Sequence, residues 1–314
     1  MSTGNRVPDL AVIIPARNEA SRIGGCLGSV RRALEFAEVT DAEVIVVDDA
    51  SNDETSDIAQ AHGAVAIRQS RRGGPLEAWA RGVDGSSAPL LFFVDADCRV
   101  DKGAFSVLLR GLARATVGVV AARSEPGHGR PVSSLVERSA TFSALMLHET
   151  KSRLVNHDFL PIGRLMAVRR AAWQDGDYRW PCDRVIASRA KRAGWEILYT
   201  PDALVYYQPV VTYGELRSDY VRTAFAQAHL NGNWSEPLAR RVAGRAACAS
   251  LWQQPLNAAA WLTLRTRLWS ERATGLMRPD EAYARWSRPA NSEPSSPAEP
   301  TRRTPSEESP GRLS

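Results

Sequence analysis

Cysteine is scarce in this chain, and its few positions exclude two common kinds of scaffold. The four cysteines lie far apart, at Cys26, Cys98, Cys182 and Cys248. Such spacing forms neither a CxxC zinc site nor a disulfide framework, and it is typical of a reducing compartment. The first ten residues, MSTGNRVPDL, also lack the basic and then apolar segments of a secretory signal peptide. We therefore expect a cytoplasmic protein.

A large excess of one charge is also missing. The chain has 40 basic and 35 acidic residues, which leaves a net charge of +5, and lysine occurs at only three positions. So small an excess does not predict nucleic acid as a partner. Hydrophobic residues make up 44% of the chain, which is enough to bury a core and excludes a disordered polymer or a fibre.

The first part of the chain alternates short apolar runs with helical patterns. The predicted strands are residues 10–14, 43–48, 64–68, 89–95 and 116–121, and the helical patterns cover residues 19–38, 53–62, 75–85 and 102–114. Continuous apolar runs of this length, each followed by a helix, indicate a mostly parallel sheet with helices on both faces. We predict a doubly wound, Rossmann-like α/β domain, and ligands of such domains bind at the carboxyl ends of the strands.

Acidic and polar clusters follow three of these predicted strands. Residues 15–19 read PARNE, residues 48–53 read DDASND, and residues 95–97 read DAD. Each cluster taken alone is better explained as a helix N-cap, since Asp, Ser and Asn cap helices readily. Three clusters at one edge of one sheet would instead bring several carboxylates into a single crevice, where they repel one another without a cation or hydrogen-bond donors.

Of these three clusters, the DxD pattern of Asp95 and Asp97 points most specifically to a function. Carboxylates two residues apart point to opposite sides of an extended strand, but a turn directly after the strand lets both address one polar ligand. Hard oxygen ligands suit Mg²⁺ or Mn²⁺, which take substrate phosphates as further ligands. We therefore predict a divalent metal at Asp97 and Asp95.

Three segments together resemble a known family. VIIPARNEA (residues 12–20), VVDDASNDET (46–55) and FFVDADCRV (92–100) are similar to the three N-terminal motifs of family 2 glycosyltransferases with the GT-A fold. The glycine-rich RGGP at 72–75, GDY at 176–178 and CD at 182–183 extend the likeness. The resemblance covers residues 9–230 and implies a nucleotide-sugar half (9–122) and an acceptor half (123–230).

The resemblance implies a role for individual residues. Asp49 matches the position that reads the nucleotide base, Asp97 the metal ligand at the diphosphate, and Asp183 the catalytic base, with Asp177 as the other candidate. Asp95 would face the ribose and the metal. The implied donor-binding residues are Pro15, Arg17, Glu19, Asp48, Asp49, Gly74, Asp95, Asp97 and Arg222. The implied partners are a nucleotide-diphosphate sugar and an acceptor hydroxyl of unknown identity.

The chemistry that these roles imply is a single displacement. One carboxylate takes the proton of the attacking hydroxyl and a divalent ion stabilises the leaving diphosphate, so the anomeric configuration inverts. Processive members carry a Gln-x-x-Arg-Trp element, whereas residues 219–223 here read DYVRT, which favours transfer of one sugar. Trp79 and Cys182 depart from the family pattern. They leave open a catalytically impaired binding or scaffold protein, and a nucleotidyltransferase is the other alternative.

The remaining chain differs in composition. Residues 240–288 hold nine arginines and three acidic residues, and residues 246–264 carry no charge. We expect residues 231–288 to form a helical extension, broken near Pro255. It would lie on the anionic surface of the inner membrane face, pack on the catalytic domain, or span a bilayer, which its central polar residues disfavour. Residues 1–8 are expected to be flexible and the Pro-, Ser- and Glu-rich residues 289–314 disordered.

Overall fold

A computed structural model describes residues 8–127, 132–154, 163–173, 183–229, 248 and 251–274 of the chain. The first half alternates strands and helices: β1 (Leu10–Ala16), α1 (Ile23–Phe36), β2 (Ala42–Asp48), α2 (Thr55–Ala61), β3 (Val65–Arg68), α3 (Pro75–Asp84), β4 (Leu90–Val94), β5 (Cys98–Val100) and α4 (Ala104–Leu112). Each predicted strand and helix of this half is present with bounds shifted by a few residues. The short strand β5 was not predicted.

The second half begins with a long strand. The second half comprises β6 (Val117–Pro126), α5 (Leu135–Leu154), β7 (Leu165–Arg169) followed by a 3-10 turn, α6 (Asp183–Arg192), β8 (Glu196–Tyr207), α7 (Tyr213–His229) and α8 (Pro255–Ala273). The predicted fifth strand, at 116–121, is the first part of β6, which continues for five further residues. Residues 1–7, 174–182 and 275–314 lie outside the described residues, and so do the predictions made for them.

One eight-stranded sheet organises the described residues. Its strand order is β3-β2-β1-β4-β7-β6-β8-β5. Strands β3, β2, β1 and β4 are parallel, whereas β7 runs antiparallel to both of its neighbours, β4 and β6. Strand β8 is parallel to β6 and antiparallel to β5. The predicted α/β class with a mostly parallel sheet is confirmed.

Both faces of the central strands β1 and β4 are covered, which explains why these two strands are apolar throughout. In β1, Val12 and Ile14 pack with α1 and α4 on one face, while Ala11 and Ile13 pack with α3 and α6 on the other. Helix α3 approaches β1 so closely that a Cβ at Gly82 would collide with the Ile13 side chain. Burial on both faces fixes the strand register, and the register fixes what lies at the strand ends.

Helix α8 begins at Pro255, where the sequence predicts a break, and packs on the rest of the described chain with one face only. Its buried residues contact α5 and α7, and the Trp261 and Phe142 rings lie 5.6 Å apart. Glu271 accepts hydrogen bonds from the Tyr213 hydroxyl (2.7 Å) and Arg217 Nε (2.9 Å). The opposite face is exposed. Among the described helices, none combines the length and apolarity needed to cross a membrane.

Candidate active site

The three predicted clusters meet at one edge of the sheet. Strands β2, β1 and β4 are consecutive and parallel, so their carboxyl ends point the same way. The structure therefore brings together the DDASND, PARNE and DAD segments, as the sequence predicts. Pro15 is still part of β1, where it lies opposite Val47. The roles of the individual residues stay predictions.

Asp48, the last residue of β2, is fully buried and holds the loop that follows it. One carboxylate oxygen accepts the backbone N–H of Ser51 at 2.8 Å, and the other accepts the Ser56 hydroxyl at 2.6 Å. Arg68 Nε lies 3.9 Å away and adds an opposite charge. Both oxygens thus have partners within the protein, which is the arrangement that a buried carboxylate requires. This geometry explains Asp48 as a loop anchor, and its contact with a donor stays a prediction.

Asp49 fixes the glycine-rich segment before α3. Its carboxylate accepts the backbone N–H groups of Gly73 at 2.5 Å and Gly74 at 2.9 Å, and its own N–H donates to the Ala16 carbonyl at 2.8 Å. Gly74 has φ +87°, which residues with a side chain rarely adopt. Asp49 therefore joins the ends of β1 and β2 to the start of α3.

The loop after β1 is held by the loop after β2. Asn18, at φ +55°, receives a hydrogen bond on its side-chain oxygen from the Asn52 N–H (2.8 Å), and its own N–H donates to the Ser51 hydroxyl (3.0 Å). The Glu19 N–H donates to the Thr55 hydroxyl at 2.8 Å. Since both loops depend on each other, their shape is set before any ligand arrives.

Two arginines near Asp49 suit an anionic ligand. Arg17 is half-buried, and its buried Nε has no hydrogen-bond partner among the described residues. The pKa of Arg72 is lowered by burial and then by the charge of Arg17, whereas Asp49 raises it. Two like charges held this close favour a negatively charged group between or beside them. Arg72 was not among the predicted site residues.

Glu19 lies between this basic pair and the end of β4. Burial raises its pKa, the Arg22 guanidinium (Nε 2.5 Å from Glu19 Oε2) lowers it, and the charges of Asp97 and Asp53 raise it further. The net pKa is above the ordinary value, because the loss of water around the carboxylate outweighs a partly exposed ion pair.

Asp95 and Asp97 follow β4 and are partly open to solvent. Their side chains are 36% and 23% exposed. Ligand atoms of Asp95, Asp97 and Cys98 lie within 4.8 Å of one another, which is close enough to share one ion. Burial raises the pKa of the Cys98 thiol, and the two carboxylates raise it further. The thiol donates a hydrogen bond to Asp97 Oδ1 at 3.2 Å. The donors that remain are carboxylate oxygens, which fit Mg²⁺ or Mn²⁺.

Arg164, just before β7, is a site residue that the sequence reasoning missed. Its Nη1 lies 3.5 Å from Asp95 Oδ2 and 3.3 Å from Asp97 Oδ2, and its carbonyl accepts the Asp95 N–H at 3.0 Å. The guanidinium carbon lies 4.1 Å from the centre of the Tyr207 ring. Burial lowers the pKa of Arg164, but Asp97 and Asp95 outweigh this and raise it. The sequence signal was an arginine at the start of an apolar strand.

Asp183 and Arg222 lie on helices of the second half of the chain. Asp183 is the first residue of α6, and Arg222 belongs to α7; their side chains are outside the described part of the chain. Asp177 and Cys182 lie outside it altogether. Trp79, the departure noted in α3, is buried in the core with its ring 5.4 Å from that of Phe93. A tryptophan at this position therefore contributes to the packing of the core.

Fold and site together define an α/β protein whose ligand site lies at the carboxyl edge of a parallel sheet half. The family model described as glycosyl transferase family 2 matches residues 11–176, more than half of the chain. The chain therefore belongs to glycosyl transferase family 2 and is a glycosyltransferase, as the motifs predict.

Curated relatives carry the same description. The chain is 27% identical over 195 residues to uncharacterized glycosyltransferases of Mycobacterium bovis and Mycobacterium tuberculosis, which covers 60% of this chain and 82% of each relative. It is 36% identical over 93 residues to a 4,4'-diaponeurosporenoate glycosyltransferase of Staphylococcus aureus. That match covers 28% of this chain and 24% of the relative.

Solved structures share the fold. A mannosyltransferase of Pyrobaculum calidifontis, in complex with GDP-Man and Mn²⁺, aligns with TM-score 0.55 at 22% identity, over 90% of this chain and 84% of that one. Mannosyl-3-phosphoglycerate synthase of Rubrobacter xylanophilus aligns with TM-score 0.50 at 19% identity, over 71% and 72% of the two chains. The predicted GT-A fold is confirmed by this likeness.

Proposed function

We propose that the protein transfers one sugar from a nucleotide-diphosphate sugar to an acceptor hydroxyl, with inversion at the anomeric carbon. The observation that carries the proposal is the convergence of Asp95 and Asp97 beside a loop edge that Asp48 and Asp49 hold in place. This pre-formed edge of the sheet offers carboxylates to a cation, and it offers the side chains of Arg17 and Arg72 to phosphates. Family membership favours this reaction over nucleotidyl transfer.

The donor site is formed by the first half of the chain. Arg17 and Arg72 supply positive charge near Asp49, at the position that the resemblance assigns to the nucleotide. Gly74, whose N–H is held by the Asp49 carboxylate, allows a ligand to approach the backbone closely, because it has no side chain and the space where a Cβ would point is open. Pro15, Glu19 and Arg222 complete the proposed donor contacts, by resemblance alone.

Mg²⁺ or Mn²⁺ is the proposed cofactor, held by Asp97 and Asp95. When bound, such an ion stabilises the negative charge of a departing diphosphate. The two carboxylates fit it because they are close together, partly exposed, and already paired with a cationic side chain. The Pyrobaculum mannosyltransferase, which shares the fold, binds GDP-Man and Mn²⁺.

Asp183 is the proposed general base. It is the first residue of α6. A carboxylate within hydrogen-bond reach of the acceptor hydroxyl removes its proton as it attacks, which is worth about 10²–10⁴-fold in rate. Asp183→Asn should therefore reduce turnover by about 10²–10⁴-fold and leave donor affinity nearly unchanged. A large loss of donor affinity would instead place Asp183 in the donor site.

A panel of nucleotide sugars tests the reaction itself. Release of the nucleoside diphosphate by slow hydrolysis is measured for each donor with Mn²⁺ and again with a chelator. We expect one donor to be hydrolysed in a metal-dependent manner. A scaffold protein without catalytic function, the remaining alternative, would hydrolyse none of them and would gain no thermal stability from a nucleoside diphosphate with Mn²⁺.

The exposed face of α8 favours an anionic membrane surface as a further partner. Trp252 before the helix, and Leu256 and Trp269 within it, are 91%, 69% and 68% exposed. The surrounding residues 240–288 carry six more basic than acidic residues. Exposed apolar side chains and basic charge together favour binding to anionic lipid.

Vesicle sedimentation tests this partner. Wild-type protein should sediment with vesicles containing phosphatidylserine and much less with phosphatidylcholine alone. The double variant Trp252→Ser, Trp269→Ser should lose this binding, whereas Phe36→Ser, a control at another exposed aromatic residue (55% exposed), should keep it. Equal sedimentation of the wild type and the double variant would contradict the proposal.

A further inference from the structure

Arg164 occupies the position between the two carboxylates that we propose as metal ligands. Its Nη1 is 3.3–3.5 Å from oxygens of both Asp95 and Asp97. Asp97 Oδ1 also accepts a hydrogen bond from the Cys98 thiol at 3.2 Å. One guanidinium therefore balances part of the charge of both.

These contacts are longer than a tight ion pair. Charge-assisted N–H···O bonds are typically about 2.7–2.9 Å, so the guanidinium holds the carboxylates loosely. Its more extensive contact is with Tyr207, whose ring centre lies 4.1 Å from the guanidinium carbon. Stacking on an aromatic ring constrains the plane of the group but leaves its direction within that plane free. The contact between the Arg164 guanidinium and the Tyr207 ring therefore does not depend on the carboxylates.

The charges predict how a divalent ion and Arg164 affect each other. Two carboxylates and one guanidinium leave one net negative charge, and a divalent ion changes this to one net positive charge. Arg164 thus opposes the ion when it binds alone, because like charges within a few ångströms repel. The same guanidinium favours a diphosphate that arrives afterwards, since it keeps the site positive.

Resting on the proposed function, we propose that Arg164 couples the metal to the donor: it offsets part of the charge of Asp95 and Asp97 in the free protein, gives way to the divalent ion, and then pairs with the diphosphate. Arg164 consequently weakens the binding of the ion alone and strengthens the binding of the diphosphate. The order of binding follows from a side chain that lies outside the DxD motif.

Calorimetric titration of the full chain with Mn²⁺ alone tests the first half. Arg164→Gln should bind Mn²⁺ roughly 5–150-fold more tightly than wild type, the usual range of coupling between two sites. Arg164→Lys keeps the charge and should remain near wild type. Arg114→Gln, which breaks an exposed ion pair with Glu196, is the matched control and should change nothing. Equal or weaker Mn²⁺ binding by Arg164→Gln would overturn the proposal.

Titration with inorganic pyrophosphate in saturating Mn²⁺ tests the second half. Arg164→Gln should bind pyrophosphate roughly 5–150-fold more weakly than wild type. Unchanged pyrophosphate affinity would overturn this half. Circular dichroism confirms folding, and Arg164→Met, which retains an apolar stem on the Tyr207 ring, replaces the Gln variant if that one does not fold.

One further variant separates this inference from the proposed function. Asp97→Ala should lose Mn²⁺ binding altogether. If it retains full Mn²⁺ affinity, the metal assignment fails, whatever Arg164 does. If Asp97→Ala loses Mn²⁺ while Arg164→Gln binds as wild type does, the metal assignment stands and only the role of Arg164 is wrong.

Discussion

Two pairs of aspartates at the same sheet edge are held in opposite ways. Asp48 and Asp49 at the end of β2 are buried, and their oxygens accept hydrogen bonds at 2.5–2.9 Å from backbone N–H groups and a hydroxyl. Asp95 and Asp97 after β4 are partly exposed and share one arginine at 3.3–3.5 Å. The first pair is held by buried hydrogen-bond donors, and the second lies beside a partly exposed arginine.

The two pairs of aspartates therefore differ in their main contribution, which is stability of the loops for the first pair and ligand binding for the second. A buried carboxylate that accepts hydrogen bonds from the surrounding loops stabilises those loops, although its remaining lone pairs can still accept a hydrogen bond from a ligand. A partly exposed carboxylate beside a loosely held cation exchanges that partner readily. We therefore expect substitutions at β2 to reduce stability and substitutions after β4 to reduce activity.

The largest effect is expected for Asp97→Ala, which removes a proposed metal ligand. Metal-dependent turnover should fall by about 10²-fold or more, the size seen when one transition-state contact is lost. The free energy of unfolding should change by about 1 kcal/mol or less, because Arg164 keeps Asp95 as a partner and all three groups are partly hydrated. Steady-state assays and urea unfolding measure the two quantities. Full activity would exclude Asp97 as a ligand.

Asp48→Ala should show the reverse pattern. It leaves the buried Ser51 N–H and Ser56 hydroxyl without their acceptor, at about 1–3 kcal/mol each. The free energy of unfolding should drop by roughly 2–4 kcal/mol. Ser56→Ala, which removes only the hydroxyl, should cost less than half of that. If Asp97→Ala destabilised the protein more than Asp48→Ala, the comparison between the two pairs would be wrong.

Much of the donor edge was predictable because it depends on periodicity. Apolar runs of about five residues predicted β1, β2 and β4, and parallel strands place their carboxyl ends together. The clusters at 15–19, 48–53 and 95–97 were therefore expected to meet, and they do. The sequence does not predict the short strand β5, because three residues are too few to show a recognisable apolar run.

The partition of roles among the aspartates was not predictable. Whether a carboxylate accepts backbone N–H groups or faces solvent depends on loops that return from far along the chain. Gly73 reaches Asp49 across 24 residues, and Arg164 reaches Asp97 across 67. Sequence spacing carries no information about such contacts. Arg164 was missed because β7 inserts antiparallel beside β4, a crossover that local patterns do not indicate.

The smallest effect on stability is expected at Glu19. This residue lies in the loop after β1, between the two pairs of aspartates, and the charge of Asp97 raises its pKa. Burial, with Asp97 and Asp53, keeps its pKa above the ordinary value despite Arg22. A carboxyl group whose pKa is raised by folding binds its proton more tightly in the native state. Its contribution to stability is therefore full below the unfolded pKa and is lost as pH rises through the folded pKa.

Glu19→Gln removes this pH dependence, since glutamine stays neutral. Urea unfolding at about pH 4 and about pH 7 should show the variant gaining stability relative to wild type at the higher pH. Glu77→Gln, at a carboxylate with an exposed arginine partner, is the control and should show no such gain. If the relative stability of Glu19→Gln fell between the two pH values, the Arg22 ion pair would outweigh burial. Glu19 would then belong with the satisfied carboxylates of β2.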